Sequence, residues 1–567
     1  MQKLKFKQFQ TYFIPLVLIS PLISQLKWFL SYAPFTEGWW HVYSRSISIG
    51  KIPYRDFELL STPLYPYFVL IFSKVFGEEF YKFRIFGLIL HVLMNYVLYK
   101  ILSKFTNRIH AVLISSISII FLQNSNAFVN YDYNYLAITF ILVSLFLILS
   151  KNTIGNSDLN IYFAGVSLGL SFLVKQSFST PIIFLVAIYL IFNKEFLKAA
   201  KYLAGFMLPN ILVLISFGIN QSGNRYITSI FANASESKGG YGKLLFGWIP
   251  RFIVDKESFL TLSFWSVTFL IAIYVLKKSN ILGWILGSCF TLIYVLRFTS
   301  INQEIFQNMS KIIHFLPIIA ISLIIIYRIF KKNQSEIIYL NIFSVGIFLG
   351  SMLSAGVSEL GTFLGLATFL TILVNYIDRT TLSVLALMAM LISTIYSINS
   401  IKTANPYYWW DYRTPSINEA DAIIESGLQK NLRMNSQDLD VRNSMLKIIG
   451  PRKECTNFVQ FPHMPFFQLE AGCMEFNYYN LFWPDFTTSG SLKFIEQDIQ
   501  SFDIILLNNG NMASINLQSK WFSENENNFV GRVGFKLKSA GSSQGFDSYD
   551  FSYSVQKSDF TLFVKLK

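Results

Sequence analysis

Long apolar runs separated by short polar breaks fill the first 400 positions of the chain. A helix that crosses a bilayer needs about 20 mostly apolar residues. Runs near 11–30, 83–103, 110–125, 133–150, 160–175, 178–193 and 199–218 are candidate spans, as are those near 258–276, 280–297, 311–329, 337–355, 358–376 and 381–400. These thirteen predict an all-α polytopic membrane domain over residues 1–400. Three segments are too long to be plain turns. Segment 31–82 holds a shorter apolar piece, 63–76, that reads as an interfacial helix, and 219–257 carries a Gly239-Gly240 pair and reads as a mobile loop. The third, 401–567, is long enough for a domain of its own. Helical periodicity near 416–428 and 438–449 alternates there with strand-like runs at 457–461, 502–507, 529–537 and 561–567, which predicts a small α/β domain. No internal repeat is evident.

Charge orients this arrangement. With the N-terminus inside, the inner turns hold Lys100, Lys104 and Arg108, then Lys151, then Lys194, Lys198 and Lys201. Lys277 and Lys278, then Arg328, Lys331 and Lys332, and finally Arg379 follow the same rule. The opposite turns 125–132 and 356–358 carry no Lys or Arg, as expected when basic loops stay in the cytoplasm. An odd number of spans then places residues 401–567, and loops 31–82 and 219–257, outside. The basic N-terminus (Lys3, Lys5, Lys7) before an apolar run resembles a signal peptide but lacks a small-residue cleavage site, so it reads as a retained first span.

Composition agrees with this. Only 14% of residues are charged and 53% are hydrophobic, with 56 Phe and 30 Tyr, which excludes a soluble multidomain enzyme and suits aromatic belts at a membrane interface. The net charge of +14 is scattered between apolar runs, so anionic lipid explains it better than nucleic acid does. Cys289 lies in an apolar run and reads as a small buried hydrophobe. Cys455 and Cys473 both lie in the polar C-terminal part and are a candidate disulfide if that part is exported.

The outer segments also hold the residues suited to chemistry. Glu37 sits among aromatics in Thr36-Glu37-Gly38-Trp39-Trp40, where lost hydration raises a carboxyl's pKa and suits a general base; the plainer alternative is an interfacial acid. Asp132, in Asn130-Tyr131-Asp132-Tyr133-Asn134, falls on the same side and is equally a good helix N-cap. Lys175 interrupts an apolar run, a costly position that favours a polar cavity, although a Lys can also snorkel to the interface. Lys311 and His314 share one helix face by their i, i+3 spacing. Together Lys175, Lys311 and His314 can neutralise a phosphate leaving group.

These motifs resemble the GT-C superfamily of integral-membrane glycosyltransferases, especially its protein mannosyltransferase and aminoarabinose transferase branch. The acid-Gly pair at 37–38, then Gly50-Lys51-Ile52-Pro53-Tyr54-Arg55-Asp56-Phe57, Pro63-Leu64-Tyr65-Pro66 and Phe76-Gly77, are similar to that family's first outer loop. Gly165, Gly169 and Lys175 resemble its fifth span, and 311–317 resembles a Lys-x-x-Tyr-x-x-Pro motif with His314 at the tyrosine position. The resemblance covers about residues 10–400. It implies a polyprenyl-phosphate-linked sugar as donor, a glycan, lipid or protein acceptor, and one inverting displacement at the outer face of a bacterial plasma (inner) membrane. It assigns Glu37 as catalytic base and Asp132 as the acid of the second outer loop. Lys175, Lys311, His314 and Arg55 would hold the donor phosphate. Where many members have two adjacent acids this chain has Thr36-Glu37, so Asp56 or Glu58 would replace the missing partner. A divalent cation, if one is used, would draw on Glu37, Asp56 and Asp132. Two readings compete: a flippase for a lipid-linked saccharide, which needs charges or broken helices near mid-membrane, and a non-catalytic glycan-binding subunit. The aromatic clusters Tyr407-Tyr408-Trp409-Trp410 and Phe482-Trp483-Pro484-Asp485 suit glycan stacking or interfacial anchoring.

Overall fold

The structure is a computed structural model. It describes residues 2–33, 37–123, 128–150, 157–236, 336–354, 358–376, 380–404, 406–409, 412–461, 465–480, 488–498, 501–510, 541–542, 545–553 and 558–566. Helices dominate the first 404 positions. They are α1 (Gln2–Leu18), α2 (Ser20–Ile23), α3 (Trp39–Ser48), α4 (Leu64–Phe76), α5 (Phe80–Leu102), α6 (Arg108–Leu122) and α7 (Tyr133–Leu149). Then come α8 (Ser157–Val174), α9 (Gln176–Phe192), α10 (Phe196–Ile219), α11 (Gly223–Thr228), α12 (Glu336–Met352), α13 (Ser358–Tyr376) and α14 (Thr380–Ala404). The apolar runs expected up to 218 and from 337 onward are helical. Those at 258–276, 280–297 and 311–329, with Cys289 and the Gly239-Gly240 pair, lie outside the described residues. The first run is not one helix to residue 30, because Ile19 separates α1 from α2, whose first turn holds Pro21, and the chain continues in turns to Leu30.

Burial follows a lipid-facing logic. Every residue of α6 from Ile109 to Leu122 is buried, and α1, α5, α13 and α14 pack around it. Helix α10 instead exposes Phe196, Leu197, Met207, Leu208, Ile211, Leu212 and Ile215. A contiguous apolar face of that kind would be expelled from water but is at home in hydrocarbon. By length and composition α5, α10 and residues 383–400 of α14 are long and apolar enough to cross a bilayer. Gly165 and Gly205 let α8 and α10 cross closely. A Cβ at Gly165 would lie 2.1 Å from the Tyr202 carbonyl oxygen, and one at Gly205 2.1 Å from that of Tyr162.

The C-terminal part contains the short hairpins β1 (Tyr408–Trp409) with β2 (Tyr412–Arg413), and β3 (Ala422–Ile423) with β4 (Arg433–Met434). After α15 (Ser436–Ile449) come β5 (Phe458–Phe461), α16 (Pro465–Glu470), α17 (Ser489–Asp498), β6 (Ile504–Gly510), β7 (Phe546–Tyr553) and β8 (Ser558–Lys565). Their sheet has the order β5-β6-β8-β7, with β5 and β6 parallel and the other pairs antiparallel. The helix expected at 416–428 is absent. Ser416 and Glu419 close a local turn, and the backbone bonds Ile424 N–H to Leu432 and Asn431 N–H to Ile424 hold a hairpin. Gly427 at φ +81° and Asn431 at φ +70° make its bend. Strand β7 was not expected, since its Asp and Ser content is unfavourable for strands; the run at 529–537 lies outside the described residues. Cys455 and Cys473 are joined in a disulfide. The hydrophobic core of this part is shared with the first loop, for Tyr32, Trp39, Val42 and Phe80 pack with Met434, Phe466, Leu469 and Leu506.

Candidate active site

A glycine sets the place of Glu37. Gly38 has φ +103°, and a Cβ there would meet Leu469 at 3.1 Å and Phe80 at 3.3 Å, so both conformation and space select glycine. The Gly38 carbonyl accepts the His41 and Val42 N–H groups and starts α3. Arg45, near the end of α3, ties that helix to the Leu469 and Cys473 carbonyls and to Glu78.

The Glu37 side chain is wholly buried and paired with Arg84 from the first turns of α5. Arg84 Nε donates to Oε1 at 2.8 Å and Nη2 to Oε2 at 2.6 Å, a bidentate geometry that fixes both partners. Tyr131 adds its hydroxyl to Oε1 at 3.1 Å. Arg84 Nη1 donates to the Phe29 and Ser31 carbonyls, so four of its five N–H groups are used. Its guanidinium lies 5.4 Å from the Tyr407 ring centroid. Sequence reasoning missed Arg84, although a charge opening the apolar run at 83–103 was a signal for it.

Asp132 follows Tyr131 directly and caps α7, accepting the Asn134 N–H at 3.0 Å and Asn134 Nδ2 at 2.5 Å. Burial pushes its carboxyl upward, while Asn134 and the Lys175 ammonium pull it back. Lys175 is the single extended residue between α8 and α9. Its ammonium bonds Asn134 Oδ1 and lies 4.7 Å and 4.4 Å from the Tyr133 and Phe178 ring centroids. Asn130 ties this loop to α5 by donating to the Arg84 carbonyl at 2.9 Å. Gly87 makes that approach possible, since a Cβ there would lie 2.6 Å from Asn130 Oδ1. Glu37, Arg84 and Tyr131 thus form one hydrogen-bonded cluster and Asp132, Asn134 and Lys175 a second, and the two adjoin where Tyr131 precedes Asp132 in the chain.

The other first-loop acids have contacts of their own. Arg55 pairs with Asp56 at 2.8 Å on a turn where Tyr54 has φ +67°. Glu58 is buried, accepts Asn233 Nδ2 at 3.4 Å and donates its N–H to the Tyr478 carbonyl. Burial raises its carboxyl to about 8, with Glu236 adding to the rise. Lys311 and His314 lie outside the described residues, as do Thr36 and Phe482-Trp483-Pro484-Asp485. Among the described residues no three His, Cys, Asp or Glu side chains come together. Both Glu37 oxygens face a guanidinium, Asp56 faces Arg55 and Asp132 caps a helix, so this donor set does not fit a divalent cation.

Residues 61–217 match a family model described as dolichyl-phosphate-mannose-protein mannosyltransferase. That segment contains Arg84, Asp132 and Lys175, whereas Glu37 precedes it. No curated protein matches the chain. Among solved structures, the apo Archaeoglobus fulgidus oligosaccharyltransferase is 13% identical with a TM-score of 0.51, covering 96% of this chain and 74% of its own. The same enzyme with an inhibitory peptide and dolichol-phosphate gives 13% and 0.49 over 97% of this chain and 74% of its own. ArnT from Cupriavidus metallidurans bound to undecaprenyl phosphate gives 10% and 0.43, covering 97% of both chains. The resemblance to the GT-C superfamily of polyprenyl-phosphate-dependent membrane glycosyltransferases therefore holds at two levels, in the sequence of residues 61–217 and in the fold.

Proposed function

We propose that the protein transfers a sugar from a polyprenyl-phosphate donor to an acceptor hydroxyl at the outer face of the membrane. The observation that carries this reading is a pair of adjoining buried clusters, Glu37 with Arg84 and Tyr131, and Asp132 with Asn134 and Lys175, at the ends of apolar helices. Ionisable groups at such depth are costly and mark sites of function. A lipid carries its phosphate to the same level of the bilayer. Relatives of this type take sugars from lipid-linked donors.

In this proposal Lys175, with Arg55, Lys311 and His314, holds the donor phosphate. The acceptor oxygen attacks the anomeric carbon as the bond from that carbon to the phosphate oxygen breaks, and the electron pair leaves on the lipid phosphate. Glu37 takes the acceptor proton. Arg84 occupies one edge of that carboxylate and Tyr131 takes the outer lone pair of Oε1, which leaves the outer lone pair of Oε2 for the hydroxyl. Asp132, fixed by Asn134, orients Lys175 and the loop that carries Tyr131. The displacement is single and inverts the anomeric centre.

The basic inner turns support an N-inside orientation, and the disulfide supports an exported C-terminal part. Domains at 1–400 and 401–567 belong to the same proposal. Mass spectrometry of lipid-linked and surface glycans, with and without the gene, tests it. Loss of one hexose or pentose from a surface glycan, with its polyprenyl-phosphate form accumulating, is the expected result. Unchanged glycans would overturn the reading.

A further inference from the structure

The cluster Tyr407-Tyr408-Trp409-Trp410 follows α14, where the chain leaves the helical part. Its first residue does not face solvent or lipid. Tyr407 is 5% exposed and packs in the same core as the membrane helices. Thr414 holds it there, accepting the Tyr407 N–H at 3.0 Å and donating its own N–H to the Tyr407 carbonyl at 3.1 Å. Among the described residues, two cations and one aromatic ring lie close to its ring. The Arg84 guanidinium carbon lies 5.4 Å from its centroid, Trp28 meets it edge-on at 5.8 Å, and the Lys402 ammonium lies 5.6 Å away. Lys402 also sits 4.2 Å from the Trp28 ring centroid.

We propose that Tyr407 is a positioning residue of the transfer site, whose ring face holds the Arg84 guanidinium that in turn fixes Glu37. Three observations combine. Arg84 is bonded along its edges by Glu37, Phe29 and Ser31, and the Tyr407 ring, over which the guanidinium carbon lies, adds a restraint that is not one of these edge bonds. Both Arg84 and Tyr407 are buried, the condition under which a cation–π contact is strongest. Among the described residues the buried Tyr407 hydroxyl has no hydrogen-bond partner, so the contact with Arg84 is made by the ring. The segment after α14 thereby supplies a component of the acid site, and the aromatic cluster is neither a glycan platform nor a simple interfacial anchor at its first position.

This inference rests on the proposed transfer, so its test has two arms. The first uses the purified full chain with undecaprenyl-phosphate mannose and undecaprenyl-phosphate aminoarabinose as probe donors, and membranes from cells lacking the gene as acceptor source. Release of undecaprenyl phosphate is followed. Tyr407→Leu should lower kcat roughly ten- to thirtyfold, the rate equivalent of a desolvated cation–π contact, with the donor KM changed less than about twofold. Tyr407→Phe should restore kcat to near the wild-type value. Wild-type kcat in Tyr407→Leu, or equal damage from Phe and Leu, overturns the inference. The second arm needs no turnover. A thermal double-mutant cycle of Tyr407→Leu with Arg84→Met should show less than additive loss. Strict additivity overturns the inference even if no probe donor reacts, whereas absence of turnover in the wild type, with coupling preserved, counts against the transfer reaction alone.

Discussion

Replacing Glu37 by Gln keeps the shape of the side chain and removes its charge, so it separates the carboxylate's electrostatic role from its packing. In the native state Arg84 is fully buried, and among the described residues Glu37 is the only carboxylate paired with it. The amide oxygen accepts one Arg84 bond, but the amide nitrogen then faces a donor where an acceptor stood. Removing one partner of a buried ion pair costs about 3–5 kcal/mol, because the other charge remains without compensation. The Phe29 and Ser31 carbonyls and the Tyr407 ring soften that cost, which places the expectation near about 3 kcal/mol. Thermal unfolding of purified protein in detergent, followed by tryptophan fluorescence, should show Glu37→Gln melting at least a few degrees below wild type. The double variant Glu37→Leu, Arg84→Met should recover most of that loss, since an apolar pair of similar volume often replaces a buried ion pair without penalty. It should also be inactive. The three proteins therefore separate loss of fold from loss of chemistry. A Glu37→Gln midpoint equal to wild type would refute the premise that this pair is buried and mutually dependent.

Glu58 gives a pH test. Its folded pKa of about 8 lies above the ordinary carboxylate value, so the folded state holds a proton that the unfolded state has released. The stability from this group is full below the unfolded pKa near about 4.5 and falls as pH rises to about 8. Glu58→Gln should flatten that part of the thermal stability profile, and an unchanged slope contradicts the burial argument. Reducing the Cys455–Cys473 disulfide, or replacing both cysteines by Ser, should cost about 3 kcal/mol, the chain-entropy value for a loop of this size. Equal melting under reducing and oxidising conditions would count against it. Gly205→Val should force α8 and α10 apart against the Tyr162 carbonyl and lower stability by about 1–3 kcal/mol. The same change at Gly218, where a Cβ meets nothing within 4 Å, is the control and should leave packing intact.

What the sequence announced and what it hid have physical reasons. Helices such as α5 and α10 were legible because a bilayer demands long apolar runs, and nothing else produces them. The burial of Asp132 and Lys175 was legible because charge beside such runs is expensive and seeks a partner. Their mutual contact through Asn134 was not, since it joins positions 41 apart in sequence. The partnership of Glu37 with Arg84 was hidden for the same reason, since they are 47 positions apart. Tyr407 lies farther still from Arg84, so aromatic composition alone suggested an interfacial role. The false helix at 416–428 arose from apolar spacing that the positive-φ residues Gly427 and Asn431 turn into a hairpin. In the C-terminal part, Met434 and Leu469 pack against first-loop residues, a shared core that no local pattern discloses.

The most direct test of the central claim is transfer by the purified full chain from polyprenyl-phosphate donors labelled in the sugar. A donor panel in detergent is mixed with membranes from cells lacking the gene. For one donor the label should move to acceptor with inverted anomeric configuration, undecaprenyl phosphate should appear in equal amount, and both signals should vanish in Asp132→Asn and Lys175→Met. Label that stays on the lipid for every donor, or transfer that survives in both variants, would contradict it.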